Sequence, residues 1–297
     1  MIKIVTHDAK FHTDDVFAVA TLLILLGKEN CEVTRTRDEE VIKTGDYVVD
    51  VGQIYDESLN KFDHHQAGGA GERENGIPYA SFGLVWKKFG EEVCGSKVIS
   101  GNIDKYIVQQ IDAIDNGYDM FVSNIPGIHP FDVNSIVSQY RLTWKEDGDW
   151  DKQFILCVDW AISFLNREIK ISKDIEDGKK IALEAYEKTI DKRIIYIDEK
   201  FDLGRELVGG VLENFPEPLY AVLYRKDAEN WQVVAIGKNG TFERRKYLPE
   251  SWRAKMGKEL EDVTGVIGSV MCHRSGFMCI TKTKEGAIEL AEKALNA

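Results

Sequence analysis

The first half of the chain alternates short apolar strands with helical stretches, and few architectures accept that pattern. "IKIVTH" reads as a strand, and Thr13 to Leu26 reads as a helix stopped by Gly27. "CEVTRT" and "DYVVDVG" read as two further strands. "LNKFDHH" follows as a short edge strand, then a Gly-rich loop from Gly68 to Gly76, then helices over Ala80–Glu92 and Ile103–Ala113. Strand and helix in alternation imply an α/β fold, a mostly parallel sheet with helices on both faces. From about Asp151 to Lys192 the pattern is helical and highly charged, which suits a connecting helix pair. Beyond it "RIIYID", "LYAVLY" and "WQVVAIG" form a run of strands before a last helix at Lys284–Leu295. That arrangement describes a smaller α+β domain. The expected division is residues 1–190, with the connector, and residues 191–297.

Length agrees, since 297 residues exceed what one typical core organises. The longest apolar run, Val16 to Gly27, is too short to span a bilayer and reads as a buried helix. The N-terminus lacks the apolar core of a signal peptide. Five cysteines without a C-x-x-C pair argue against a disulfide framework or a structural zinc knuckle. A cytoplasmic location is expected. The net charge of −12 speaks against a broad footprint on duplex DNA, but not against a short strand held in a local basic pocket.

Ligand-type residues concentrate in the first half. "THDAKFHTDD" offers His7, His12 and Asp14 where a strand gives way to a helix. "VVDVG" offers Asp50 at the end of an apolar strand, and "FDHH" offers Asp63, His64 and His65. "QIDAIDNG" offers Asp112 and Asp115 near a helix end. In open α/β sheets, ligands gather at the carboxyl ends of strands. Mixed imidazoles and carboxylates suit Mn²⁺, Zn²⁺ or Fe²⁺ better than Mg²⁺, and two ions bridged by one aspartate suit phosphoester hydrolysis. Each piece has a plain structural alternative. Asp14 and Asp15 favour a first helical turn, and Asp115 with Asn116 and Gly117 makes a turn. Jointly the structural account is poor, because four of six histidines fall within 65 residues, each beside carboxylates. Other motifs fail: "GEEVCGSK" follows a helix and reads as a helix stop, and "GGAGERENG" lacks the dinucleotide glycine order and reads as a mobile loop.

The combination "THDAKFHTDD", "FDHHQ", "IDAIDNG", "LPESWR" and "CHRSGF" resembles the DHH phosphoesterase superfamily, which includes RecJ-type nucleases and manganese pyrophosphatases. Within it, the likeness is to the melanocyte-proliferating-gene family, whose eukaryotic members act as RNA exonucleases. The resemblance implies that His7, His12 and Asp50 hold one metal, and Asp14, Asp50, His64 and Asp115 another. The pair would be Mn²⁺, with Mg²⁺, Zn²⁺ or Fe²⁺ as alternatives. His65 would face the scissile phosphate, and Asp63 would orient the ligand His64. Two departures stand out: Ala9 where glycine is expected, and Cys279 and Ile280 where family members show two glycines.

The span Lys238–Lys258 carries seven basic residues against two acidic, a local reversal of the overall charge. Arg244, Arg245 and Arg253 are candidates to grip phosphate, with Arg141 as a weaker one. His273, Arg274 and Ser275 in "CHRSGF" form a turn that the superfamily brings over its metals. Phe242, Tyr247 and Trp252 interleave with the basic residues, and Phe277 or Trp252 could stack a base. The favoured reading is a metal-dependent phosphodiesterase acting as an exonuclease on short single-stranded RNA or DNA. A small-molecule phosphohydrolase acting on pyrophosphate or a dinucleotide is the rival. No membrane partner is expected, and the oligomeric state, homodimer included, stays open.

Overall fold

The computed structural model describes residues 1–121, 123–239 and 241–297. Its contacts divide the chain into two compact units, Met1–Lys173 and Asp174–Ala297. The sequence places a boundary near residue 190, after the connector.

The first unit contains β1 (Ile2–Thr6), α1 (Thr13–Leu26), β2 (Cys31–Arg35), α2 (Glu39–Ile42) and β3 (Tyr47–Val49). β4 (Tyr55–Asp56), β5 (Lys61–Phe62), α3 (Ser81–Cys94), α4 (Lys97–Ile103), α5 (Gln109–Asp115) and α6 (Val133–Ser138) follow. The sheet order is β2-β1-β3-β5-β4, parallel except for β4 against β5. "LNKFDHH" therefore supplies an interior strand rather than an edge, because β4 adds outside it. Side chains alternate across the sheet. Ile4, Val49 and Phe62 enter a large core with α1 and α3, whereas Val5 and Val48 form a small separate cluster with Val51 and with Ile42 of α2 on the opposite face. One face is thickly covered, the other by a single helical turn.

α1 is apolar nearly all round and accordingly buried along its first eleven residues. α3 ends at Gly95, whose φ of 68° needs glycine's freedom, so "GEEVCGSK" is a helix stop. Between α4 and α5, Asp104–Val108 is wound as a π-helix, making one helical run from Lys97 to Asp115. The Gly-rich loop is pinned there. Arg73 donates to Asp112 Oδ2 at 2.7 Å and to Asp104 Oδ1 at 2.9 Å, and lies over the Tyr79 ring. Asp112 also accepts the Gly83 N–H at 2.9 Å.

α7 (Trp150–Lys188) is one continuous helix of 39 residues, not a helix pair. Its one glycine after Trp150, Gly178, is a close-packing point: an added Cβ would lie 2.8 Å from Leu207. The second unit adds β6 (Ile194–Tyr196), α8 (Arg205–Leu212), β7 (Tyr220–Arg225), β8 (Asn230–Ala235), α9 (Gly257–Thr264), β9 (Ser269–Cys272), β10 (Met278–Thr281) and α10 (Lys284–Asn296). Its sheet order is β6-β7-β8-β10-β9, antiparallel except for β6 with β7, as an α+β domain requires. Cys279 and Ile280 lie buried within β10, with Cys279 opposite Cys272, so that departure sits inside the sheet. The other departure, Ala9, holds a φ of 61°, the conformation that explains an expected glycine.

Arg73 and Asp112 set a test of this unit. Burial outweighs the Arg73 guanidinium and pushes the Asp112 carboxyl up to about 7. A raised folded value means that the folded state holds its proton while the unfolded state has lost it. The stability associated with Asp112 is thus lost as pH rises from the ordinary 3.8 through about 7. Arg73→Ala should destabilise by about 3–5 kcal/mol, more at pH 8 than at pH 5, in urea unfolding at the two pH values. Equal losses at both would contradict it. Gly83→Ala should also destabilise, by about 1–3 kcal/mol or more, since its Cβ would fall 1.8 Å from Asp112 Oδ2.

Candidate metal centre

Strand register assembles the site. Thr6 pairs with Val49, and Val49 with Phe62, so three adjacent parallel strands end level. The next residues are His7, Asp50 and Asp63, followed by His64 and His65. Asp50 takes φ 55°, an uncommon conformation for a non-glycine residue, as its strand turns into the loop. α1 contributes Asp14 and Asp15 in its first turn, where the helix dipole favours carboxylates. α5 contributes Asp115 at its end.

These groups converge on one another. His64 Nε2 lies 3.2 Å from Asp115 Oδ2, 3.5 Å from Asp50 Oδ1 and 4.0 Å from Asp14 Oδ2. His7 Nε2 lies 3.0 Å from Asp15 Oδ2 and 3.4 Å from Asp50 Oδ2. Three ligand sets close to within 4.8 Å: His7, His12 and Asp50; Asp50, His64 and His65; and His12, Asp14 and Asp115. Asp50 belongs to two of them. Its Oδ1 accepts the Ser81 hydroxyl at 3.0 Å, an orienting contact that the sequence did not reveal.

Hydrogen bonding decides what the cluster fits. Asp14 is fully buried, yet neither carboxylate oxygen has a hydrogen-bond partner. His7 Nε2, His64 Nε2 and Asp15 Oδ2 are buried and unpartnered too. Short distances without hydrogen-bond geometry mean donor atoms aimed at a common point. Leaving such atoms unsatisfied is costly, and a cation satisfies all of them together. His7 Nδ1 contacts the Asp8 carbonyl at 2.8 Å; donating there leaves the Nε2 lone pair for a metal. The residues present fit divalent cations.

The titration behaviour agrees. Burial and the charge of Asp50, then Asp115, push the Asp14 carboxyl well above its usual range. Burial opposes charge on His7 and His64, but their carboxylate neighbours prevail and raise both to about 10. Burial opposes charge on Asp50 as well, and the imidazoles of His64 and His7 hold it below the usual range. Without a metal, imidazolium protons supply the positive charge the carboxylates demand. Bound cations would replace them.

Asp63 does not orient His64. Its Oδ1 meets His65 Nδ1 at 2.8 Å and accepts the His65 N–H, while Oδ2 accepts the Gln53 N–H. This fixes His65, whose side chain is 56 % exposed. Asp15, which sequence reasoning assigned only to the helix turn, is buried against His7. Asp112 is spent on Arg73 and Gly83. Arg141 anchors through Nε to the Phe11 carbonyl at 2.8 Å, one residue before His12.

In the second unit the basic stretch is mostly structural. Arg245, expected to grip phosphate, instead donates to the carbonyls of Glu213, Phe215 and Pro218. Lys246 binds the carbonyls of Leu295 and Ala297, and Arg253 Nε donates to the Leu248 carbonyl at 3.1 Å. Trp252 is 5 % exposed and belongs to the core, whereas Phe242 is fully exposed. Arg244 lies 5.6 Å from the Phe277 ring centroid, and Arg205 lies 5.5 Å from it. His273 Nδ1 contacts the Ser275 hydroxyl at 2.8 Å, bracing a turn that ends at Gly276 and leaves Arg274 exposed.

A family model described as "Uncharacterised protein family (UPF0160)", the MYG1 exonuclease family, matches residues 3–295. The chain belongs to that family. A MYG1 protein of Caenorhabditis elegans is 31 % identical across 98 % of this chain and 94 % of its own length. A MYG1 protein of Dictyostelium discoideum is 27 % identical across 99 % and 97 %. The protein called MYG1 exonuclease in Homo sapiens is 26 % identical across 99 % and 85 %. A solved phosphodiesterase structure titled pGpG-specific aligns at 12 % identity, covering 99 % of this chain and 97 % of its own, with a TM-score of 0.28, too low to carry an argument. Among the described residues of this MYG1 family member, no helix is long and apolar enough to cross a membrane.

If the cluster holds metal, Asp14→Ala and His64→Ala should lose bound manganese by elemental analysis, while His65→Ala and Asp63→Ala keep it. Equal loss in His64→Ala and His65→Ala would contradict the division of roles.

Proposed function

We propose that this protein is a metal-dependent phosphodiesterase that degrades short single-stranded RNA or DNA from one end. The observation that carries this reading is Asp14, wholly buried with both oxygens unpartnered beside the open Nε2 atoms of His7 and His64. His7, His12 and Asp50 would hold one divalent ion, and Asp14, Asp50, His64 and Asp115 the other, with manganese favoured by the mixed donors. Bound cations of this kind activate water and neutralise charge on a phosphoester.

The chain's own residues supply position. Asp63 holds His65 with its outer nitrogen open to a phosphoryl oxygen. Ser81 fixes Asp50, and Arg141, tethered at Phe11, offers its remaining guanidinium donors beside His12. Hydrolysis joins the oxygen of water to phosphorus and breaks the ester bond. The proton released from water ends on the departing hydroxyl. In the second unit we assign substrate contacts to Arg244, Arg274, His273 and Ser275, with Phe277 and Phe242 as stacking surfaces. The five unpaired cysteines suit a reducing cytoplasm.

A manganese-dependent panel of pyrophosphate, dinucleotides and end-labelled oligomers tests the reading. Oligomers shortened from one end, faster than pyrophosphate is cleaved, is the expected result. Pyrophosphate as the faster substrate would transfer the assignment to a small-molecule phosphohydrolase. Arg244→Ala with Arg274→Ala should slow oligomer cleavage about tenfold or more relative to a small chromogenic phosphodiester. Asp63→Ala should cost about 10–100-fold in rate.

A further inference from the structure

The thinly covered face of the first sheet holds a cavity of about 570 Å³ beside the metal-ligand cluster. One side of it is the cluster itself, through His7, Asp50 and His65. Its floor is apolar: Val48, Val51, Ile42 and the half-exposed Ile54. Three basic side chains, Arg37, Lys43 and Lys61, belong to the same lining. Glu39 also lines the hollow, as does Asp63 beside His65.

The three cations come from different places, the segment after β2, the end of α2 and the start of β5, yet they line one hollow. Their existing pairs are weak. Arg37 meets Asp8 at 3.2 Å and Lys43 meets Glu40 at 2.6 Å, all four side chains being about half exposed or more, and exposed pairs contribute little. Lys61 has no carboxylate within ion-pair distance among the described residues. The volume suits one nucleotide, since small-molecule sites span roughly 300–1,000 Å³. Metal ligands, apolar floor and basic wall match scissile phosphate, base and a second phosphate in turn.

We infer that this cavity seats the terminal nucleotide, its base over Ile42 and Ile54 and its terminal phosphomonoester on Arg37, Lys43 and Lys61. The enzyme then prefers substrates whose end carries a phosphate one nucleotide from the cleaved bond. This rests on the phosphodiesterase reading above, and its test separates the two.

Equilibrium titration of the manganese-loaded protein with adenosine 5′-monophosphate, adenosine 3′-monophosphate and adenosine reads the site without turnover. One monophosphate should bind about tenfold or more tightly than adenosine, and which one identifies the end that is held. Bound metal also attracts phosphate, so the deciding comparison is the Arg37→Ala, Lys43→Ala double variant with its manganese content measured. The monophosphate's advantage should fall about tenfold there with metal retained, while Lys258→Ala, on the second unit, keeps it. In parallel, a dinucleotide with a terminal phosphate should be cleaved about tenfold faster than one without, and the double variant should narrow that ratio towards parity. An unchanged monophosphate advantage in the double variant, or cleavage of both dinucleotides at equal rate by the native protein, overturns the inference and leaves the phosphodiesterase intact. Monophosphate binding that depends on Arg37 and Lys43, with no dinucleotide cleaved, supports the pocket and removes the proposed activity.

Discussion

A carboxyl sealed from water with no hydrogen bond must either keep its proton or face a cation, and Asp14 is such a group. The surrounding architecture follows from that demand. α1 starts where its first turn can carry Asp14 and Asp15, its dipole offsetting part of their burial. Three parallel strands end in step, so His7, Asp50 and Asp63 arrive together. Ser81 and the Arg73–Asp112 pair tie α3, α5 and the Gly-rich loop around the same point. Low dielectric strengthens each of these contacts and raises the cost of losing any one.

The division between His64 and His65 is a consequence of local pairing. The two rings lie against each other, with centroids 4.3 Å apart, and both reach Asp50 Oδ1, but the Asp63 carboxylate claims the second imidazole while the first meets Asp115. Two adjacent histidines thus take different carboxylate partners from one short segment. The same economy appears at Asp50, whose left-handed backbone lets one carboxylate face both His7 and His64.

Membership in the MYG1 exonuclease family places phosphoester chemistry on this framework, and the second unit shows how charge can mislead. The basic run at Lys238–Lys258 looks like a phosphate wall in one dimension. Folded, Arg245 and Lys246 satisfy carbonyls at the ends of the 213–218 segment and of α10, a structural task suited to guanidinium and ammonium donors. Arg244 escapes because Phe277, not a carbonyl, meets it.

The sequence by itself determined the alternation of β1, α1, β2 and β3, the last helix, and the pool of candidate His and Asp ligands, because those signals are local. Hydrophobic period and glycine stops mark elements, and Asp-His-His marks chemistry. α7 runs unbroken where the charged sequence suits a helix pair, and Gly178 within it packs close to Leu207, a partner distant in the chain. Tertiary structure alone decided that β5 is interior, that Asp63 serves His65, that Asp15 and Ser81 join the site, and that Arg37, Lys43 and Lys61 share a hollow with it. Each of these depends on strand order or on a contact between residues far apart in the chain. Spacing along the sequence carries residue type and local period, not which strand ends lie side by side.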